Sequence, residues 1–315
     1  MLGVGVTSQA AGATTVEHDL QCGVNPTTDV RLRSDLTCDQ GFRGGLDTPA
    51  VNIDLGGHTL TVTNGTCESP NSNSYCGAIF GEASVSNGKV VGDLQNVHRV
   101  SRVRVIGTVL IEDNVSGDAG PSLVERSVIN GCVAVLGPNA TVQDNRISGG
   151  GAFCGGVYMD DSAKGLGNTQ ILGNRIANAP GAGIDVADNL GCICPPDITG
   201  VIHGNTVVRS GGAGIDVRGA LWTLGHLDID GNTLRDNAGD GIRVSMGAFA
   251  PFAPPGSSIG PVVVTGNRAS GNGGHGIFTD VVSANPAFGV VDGGGNVARR
   301  NAVAPQCVGV ACSPT

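Results

Sequence analysis

The chain has 315 residues and a formal net charge of −9, with 53 glycines, 3% aromatic and 14% charged residues. So little bulky apolar material is poor stock for a globular core, and no segment reaches the roughly 18 consecutive apolar residues of a membrane-spanning helix. Lys89 and Lys164 are the only lysines, the arginines are scattered, and nothing basic is concentrated in the sequence, which argues against a nucleic-acid backbone as partner.

Taken in chain order, residues 1–15 lack a basic n-region but end in an Ala-rich piece like the tail of a signal peptide, and are expected to be a leader remnant. Residues 16–50 read as an N-terminal cap containing Cys22 and Cys38. The ten cysteines are even in number and several are close neighbours: Cys22/Cys38, Cys67/Cys76, Cys192/Cys194 and Cys307/Cys312. Disulfides and an oxidising, extracellular compartment follow, with Cys132 and Cys154 left to pair across adjacent turns of the fold. The histidines stand apart from the cysteines, so zinc is the weaker reading.

Val51–Val62 (VNIDLGGHTLTV) is the first alternating strand pair, around a Gly-Gly turn. Looser strands follow to about Gly137, and a regular array then runs from about Val142 to Asn301. Its unit is an apolar residue, Gly-Asn, a short strand, a Gly-rich turn and Gly-Ile or its equivalent. The step from Asn174, Asn205, Asn232 and Asn267 to Gly183, Gly214, Gly241 and Gly276 is nine residues every time. Such a repeat, with no helical period, is one coil of a solenoid. Residues 51–303 are therefore expected to form one all-β stack, and residues 304–315 a disulfide cap over its end.

Three apolar columns imply three strand faces per coil: Ile171, Ile202, Ile229, Val264; Ile176, Val207, Leu234, Ala269, Val297; and Ile184, Ile215, Ile242, Ile277. Asn145, Asn174, Asn205, Asn232, Asn267 and Asn296 should stack as an amide ladder, with a shorter one at Asn237, Asn272 and Asn301. The IDLGGHTL opening and the repeated GN…GI units resemble the right-handed parallel β-helix proteins of the pectate-lyase-like superfamily, which includes polysaccharide lyases, polygalacturonases and mannuronan C5-epimerases. That resemblance spans about Val51 to Asn301. It implies the fold, and an extracellular acidic polysaccharide as partner. Neither a lyase-type lysine constellation nor paired polygalacturonase motifs occur in family order.

Irregularity is confined to one corner, where each Gly-Ile strand is followed by an excursion of variable length, one of them carrying the only tryptophan, Trp222. Stacked insertions of this kind wall a binding face. On the strand beside them one outward column reads Tyr158, Asp185, Asp216, Arg243, Phe278, and the next reads Asp160, Ala187, Arg218, Ser245, Asp280. Asp185 and Asp216, about 5 Å apart, need a cation or Arg218 and Arg243 to offset their repulsion. The functional reading makes Asp185, Asp216, Arg218, Arg243, Asp240, His275 and Tyr158 the catalytic set, with Asp160, Asp161, Asp188, Ser245, Asp280 and Trp222 binding substrate and Ca²⁺ a candidate ligand of Asp185 and Asp216.

Three chemistries stay open at this stage. Lyase or C5-epimerase action on a uronate would draw its base from an arginine, His275 or Tyr158. Paired aspartates could instead support glycoside hydrolysis. A solvated charge ladder on a non-catalytic binding or adhesion solenoid needs neither.

Overall fold

The computed structural model describes residues 18–43, 51–64, 66–67, 76–111, 121–150, 154–160, 167–187, 198–219, 224–246, 261–280 and 289–313. The described chain is all-β: a right-handed parallel β-helix in which each regular coil contributes three strands. One coil is Thr169–Leu172, Arg175–Ala177 and Ile184–Ala187, and the next is Ile198–His203, Thr206–Val208 and Ile215–Gly219. Every pairing between coils is parallel, and Ile171 lies on Ile202, Ile202 on Ile229 and Ile229 on Val264. The third strands form a separate 11-stranded sheet, while the first two of each coil join in a 21-stranded sheet bent at the asparagine corner. The described residues contain no helix long and apolar enough to cross a membrane.

The stack begins before Val51, since Val30–Arg31 pairs with the Val51–Asp54 strand and Leu36–Gln40 with Thr59–Asn64. It also runs past residue 303, because Cys307 and Val308 add a final rung on Ile277 and Phe278. Disulfides Cys22–Cys38 and Cys307–Cys312 stand at the two ends, and Cys132–Cys154 ties neighbouring coils. Cys67 and Cys76 are opposite each other in a two-stranded antiparallel hairpin. Residues 1–15, Cys192 and Cys194 lie outside the described residues.

Two different needs explain the two recurrent glycines. The one before the ladder asparagine is left-handed, with φ of 60° at Gly173, 66° at Gly204 and 63° at Gly231, a conformation that costs glycine nothing. The one before the Ile is a matter of space: a Cβ on Gly214 would stand 2.6 Å from the Gly241 carbonyl oxygen.

The inward columns are fully buried, with Ile184, Ile215, Ile242 and Ile277 at 0% exposure. One register differs from the sequence expectation. Ala269 lies on Ala298 rather than Val297, because the inward residue stands two places after its ladder asparagine in every coil. A second correction concerns charge: although the sequence spreads its cations widely, the register gathers seven of them on one outer face, the middle strand of each coil.

At the corner, the ladder asparagines from Asn174 to Asn296 use all four hydrogen-bonding positions of their amides, while Asn145, at the start, accepts only the Ser127 N–H. Asn205 Oδ1 accepts from the Asn174 backbone N–H (2.9 Å) and from its Nδ2 (3.1 Å), while Asn205 Nδ2 donates to the Ile171 carbonyl (2.8 Å) and to Asn232 Oδ1 (3.0 Å). The second ladder ends on Gln306, whose Oε1 accepts from both the backbone N–H and the Nδ2 of Asn301. Burial leaves these amides no other partners of equal quality, so the ladder locks the register.

Candidate functional site

Period-2 alternation on the 11-stranded sheet puts Ile184, Val186, Ile215, Val217, Ile242 and Val244 into the core and turns their neighbours outward. The outward column runs Tyr158, Asp185, Asp216, Arg243, Phe278 in direct register. Beside it, Asp160, Ala187, Arg218 and Ser245 form the second column. Asp280 follows the strand Ile277–Thr279, and its N–H donates to the Val244 carbonyl. Asp161, Asp188 and Trp222 lie outside the described residues, as does most of the excursion wall.

The column changes character along the axis. Upstream it is apolar: Leu110 and Ala134 are buried in a small outer cluster with Cys132 and Cys154, against which Tyr158 packs. The Tyr158 hydroxyl then bonds Asp160 Oδ2 at 2.7 Å, and Asp160 is itself buried, at 6% exposure.

The charged section follows at the next rung. Arg218 reaches back across its coil and clamps Asp185 through two bonds, Nη2 to Oδ2 at 2.5 Å and Nε to Oδ1 at 3.3 Å, while its Nε lies 3.4 Å from Asp216 Oδ2. Arg218 is thus the compensating charge for both aspartates. Its own pKa is raised, first by the hydrogen bond to Asp185 and then by the fields of the two carboxylates, against an opposing effect of burial.

Asp216 is the least well satisfied of the set. Its Oδ1 is buried and has no hydrogen-bond partner. Burial pushes its pKa above the ordinary aspartate value; Arg218 and Arg243 pull it back, while Asp185 and Asp240 add to the rise. One rung on, Arg243 is exposed and makes no hydrogen bond or ion pair with the described residues. The two arginines, named together in the sequence as counter-charges for the aspartates, therefore differ in availability: Arg218 is engaged, and Arg243 has no partner among the described residues.

Asp240 and His275 occupy equivalent places in neighbouring coils, with Gln306 in the coil beyond. They are not a carboxylate–imidazole pair. Asp240 Oδ1 accepts the His275 backbone N–H at 2.6 Å, and His275 Nδ1 donates to the Pro305 carbonyl at 2.7 Å. A carbonyl only accepts, so the neutral ring carries its proton on Nδ1 and offers Nε2 as a free acceptor. The ring stacks on Phe278, centroids 5.3 Å apart, and Phe278 is the register partner of Arg243. The orienting role of Pro305 carries no motif, since it depends on how the chain returns after the last ladder asparagine.

For calcium the described residues are a poor fit. No three His, Cys, Asp or Glu side chains among them converge as a metal site, and Arg218 already supplies the positive charge between Asp185 and Asp216. Elsewhere, sequence reasoning missed the buried Glu125 on the 21-stranded sheet. Its carboxylate accepts from Arg99 Nη2 at 2.5 Å and Ser101 Oγ at 3.1 Å, and its pKa is lowered, chiefly by the Arg99 hydrogen bond. Its register partners, Ser101 and Gln143, are both polar and both bond to it, so the signal lies in three polar residues that share one register position.

No protein-family model and no curated protein matches this chain. Among solved structures, a single-substitution mutant of the periplasmic alginate epimerase AlgG superposes with a TM-score of 0.47 at 13% identity, over 92% of this chain and 78% of that one. AlgG itself gives 0.43 at 13% identity, over 92% and 76%. These superpositions are loose, and the fold assignment rests on the coil register instead.

Proposed function

We propose that the chain is an exported carbohydrate-active protein whose 11-stranded face binds a uronate-containing polysaccharide and removes the proton at C5 of one sugar. The observation that carries this is the adjacency, on successive rungs of one outward column, of an exposed arginine with no partner among the described residues, Arg243, and a carboxyl group of raised pKa, Asp216. Arg243 would take the uronate carboxylate in a bidentate pair, which neutralises it and acidifies the C5 hydrogen. The three disulfides support an oxidising compartment.

The chemistry then needs one base and one acid. His275 Nε2 accepts the C5 proton, and the imidazolium keeps its Nδ1 bond to Pro305. Asp216 is the acid: in its protonated form it gives a proton either to the departing O4, which yields an unsaturated sugar and a new chain end, or to the opposite face of C5, which yields the epimer. Solvent exchange restores both groups. Tyr158 donates its hydroxyl proton to the Asp160 carboxylate in a hydrogen bond, and its higher ordinary pKa makes it harder to deprotonate than the neutral His275 is to use as a base. Glycoside hydrolysis by Asp185 and Asp216 is less well supported, because Asp185 is clamped by Arg218 and has no free geometry for attack.

A panel of polyuronates in D₂O tests this. Ultraviolet absorbance of the unsaturated product reports elimination, deuterium at C5 without chain cleavage reports epimerisation, and new reducing ends without unsaturation report hydrolysis. Arg243→Ala should lose substrate binding, and His275→Gln should lose turnover while keeping it. Full activity in the Arg243 variant sinks the reading, and binding with none of the three products moves it to a non-catalytic solenoid.

A further inference from the structure

The middle strand of each coil presents a second outer face whose charge is opposite to that of the whole chain. One outward column there runs Lys89, Arg104, Val128, Arg146, Arg175, Thr206, Thr233, Arg268, Val297, in continuous register. The column two residues further along the same strands adds Arg235 and Arg299. Seven of nine successive rungs therefore carry one cation each, on a chain whose net charge is −9. From Lys89 to Arg299 neither column contains an aspartate or glutamate. None of the seven side chains makes a hydrogen bond or ion pair with the described residues, and all but the half-buried Lys89 are exposed.

That arrangement is the reverse of what the fold does elsewhere. Where charges stack on the 11-stranded face, an opposite charge is threaded between them, as Arg218 is between Asp185 and Asp216. On the middle face Arg146 lies directly on Arg175 with nothing between. Toward the C-terminal end the surface is concave, and the concavity is lined by Thr233, Arg235, Arg268, Ser270 and Arg299, three guanidinium groups and two hydroxyls with no acid among them. At about 4.8 Å per coil, eight steps make a track about 38 Å long.

We infer that this face is a second binding track, distinct from the 11-stranded face, for a linear acidic polysaccharide lying along the solenoid axis. Charge complementarity selects a polyanion, and the spacing selects one with about one carboxylate per sugar, each pyranose covering about one coil. A single-stranded nucleic acid fits worse, because it would need aromatic platforms for its bases and neither outward column holds a Phe, Tyr or Trp. The inference extends the polymer class proposed above to another face, and the track would hold a long chain while its neighbouring stretch is worked on at Arg243.

The test uses the full chain and two variants, Arg235→Ser/Arg268→Ser/Arg299→Ser and Arg243→Ala. Probes are long polygalacturonate, a short oligogalacturonate, single-stranded DNA and vesicles of anionic lipid, each across a salt series. The triple variant should bind the long polymer about tenfold more weakly, with a log–log salt slope shallower by about 2 units, near 0.7 per lost contact, and should bind and process the short oligomer as the parent does. Arg243→Ala should show the converse, losing the short oligomer and keeping salt-dependent retention of the long one. Unchanged affinity and slope in the triple variant overturns the track while leaving the proposed function standing. Retention of DNA or vesicles in place of the polyuronate overturns it too. Failure of the Arg243 variant to lose the short oligomer, with the triple variant behaving as expected, retires the proposed function and keeps the track.

Discussion

The asparagine corner and the charged outward column solve the same problem in opposite ways. Both stack like groups about 5 Å apart, rung on rung. An amide has two donors and two acceptors, so a column of asparagines satisfies itself, and Asn205 spends every one of those positions on its neighbours and on the coil before it. A carboxylate has acceptors only. Asp185 and Asp216 therefore cannot satisfy each other, and the fold must import Arg218 from the adjacent column to hold them. Self-complementary groups can be buried and extended over many coils, whereas the stacked aspartates stay near the surface, stop after two rungs and leave an oxygen of Asp216 unmatched. The unmatched end is where chemistry can begin.

The sharpest way to break the contrast is to put the wrong group in the ladder. Asn205→Asp replaces two donors with acceptors in a buried site and should cost about 3–5 kcal/mol, measured by urea unfolding. Asn205→Ala, which leaves the neighbours unpaired but adds no charge, should cost about 1–3 kcal/mol. If the two variants unfold at the same denaturant concentration, the ladder is not held by donor–acceptor matching.

Smaller changes test the outer column. Arg218→Leu leaves Asp185 and Asp216 facing each other without a counter-ion, and should cost about 1–2 kcal/mol at neutral pH after allowance for solvent screening. The loss should shrink in acid as the carboxyls protonate. A deficit that stays constant with pH would mean that Arg218 contributes packing instead of charge.

The smallest effects are differences in pH dependence, and two carboxyl groups should show opposite signs. The pKa of Asp216 is raised in the fold from 3.8, so its contribution is fully present below that value and is lost as pH rises through the folded pKa. Asp216→Asn should accordingly gain stability relative to the parent across that rise. The pKa of Glu125 is lowered from 4.5, so its contribution is present above that value and is lost as pH falls through the folded pKa. Glu125→Gln should flatten the acid limb. Parallel pH profiles for the two variants would contradict the assigned directions.

Much of this molecule is legible in one dimension because a solenoid turns sequence period into spatial register. Nine residues from Asn174 to Gly183, repeated at Asn205, Asn232 and Asn267, suffice to stack the ladder and to bring Asp185, Asp216, Arg243 and Phe278 into one column, as they are found. The slip from Ala298 to Val297 in the last coil shows how the method fails: after the Gly-rich stretch before Asn296, the ladder asparagine is the only reliable ruler.

Sequence by itself determined the fold, the inward columns up to the last coil, both amide ladders and the identity of the outward charged column, because each follows from alternation and repeat length. Only the tertiary structure decided how those charges are shared. Arg218 proved to belong to the two aspartates and Arg243 to have no partner among the described residues, since side-chain reach depends on distances between coils. His275 is oriented by the Pro305 carbonyl and not by Asp240, because the chain returns over that corner only after the last ladder asparagine, Asn301. The cationic face shows the same limit: its residues lie far apart in a chain that looks evenly sprinkled with arginine, and variable loop lengths hide their common phase until each strand is laid on the one before it.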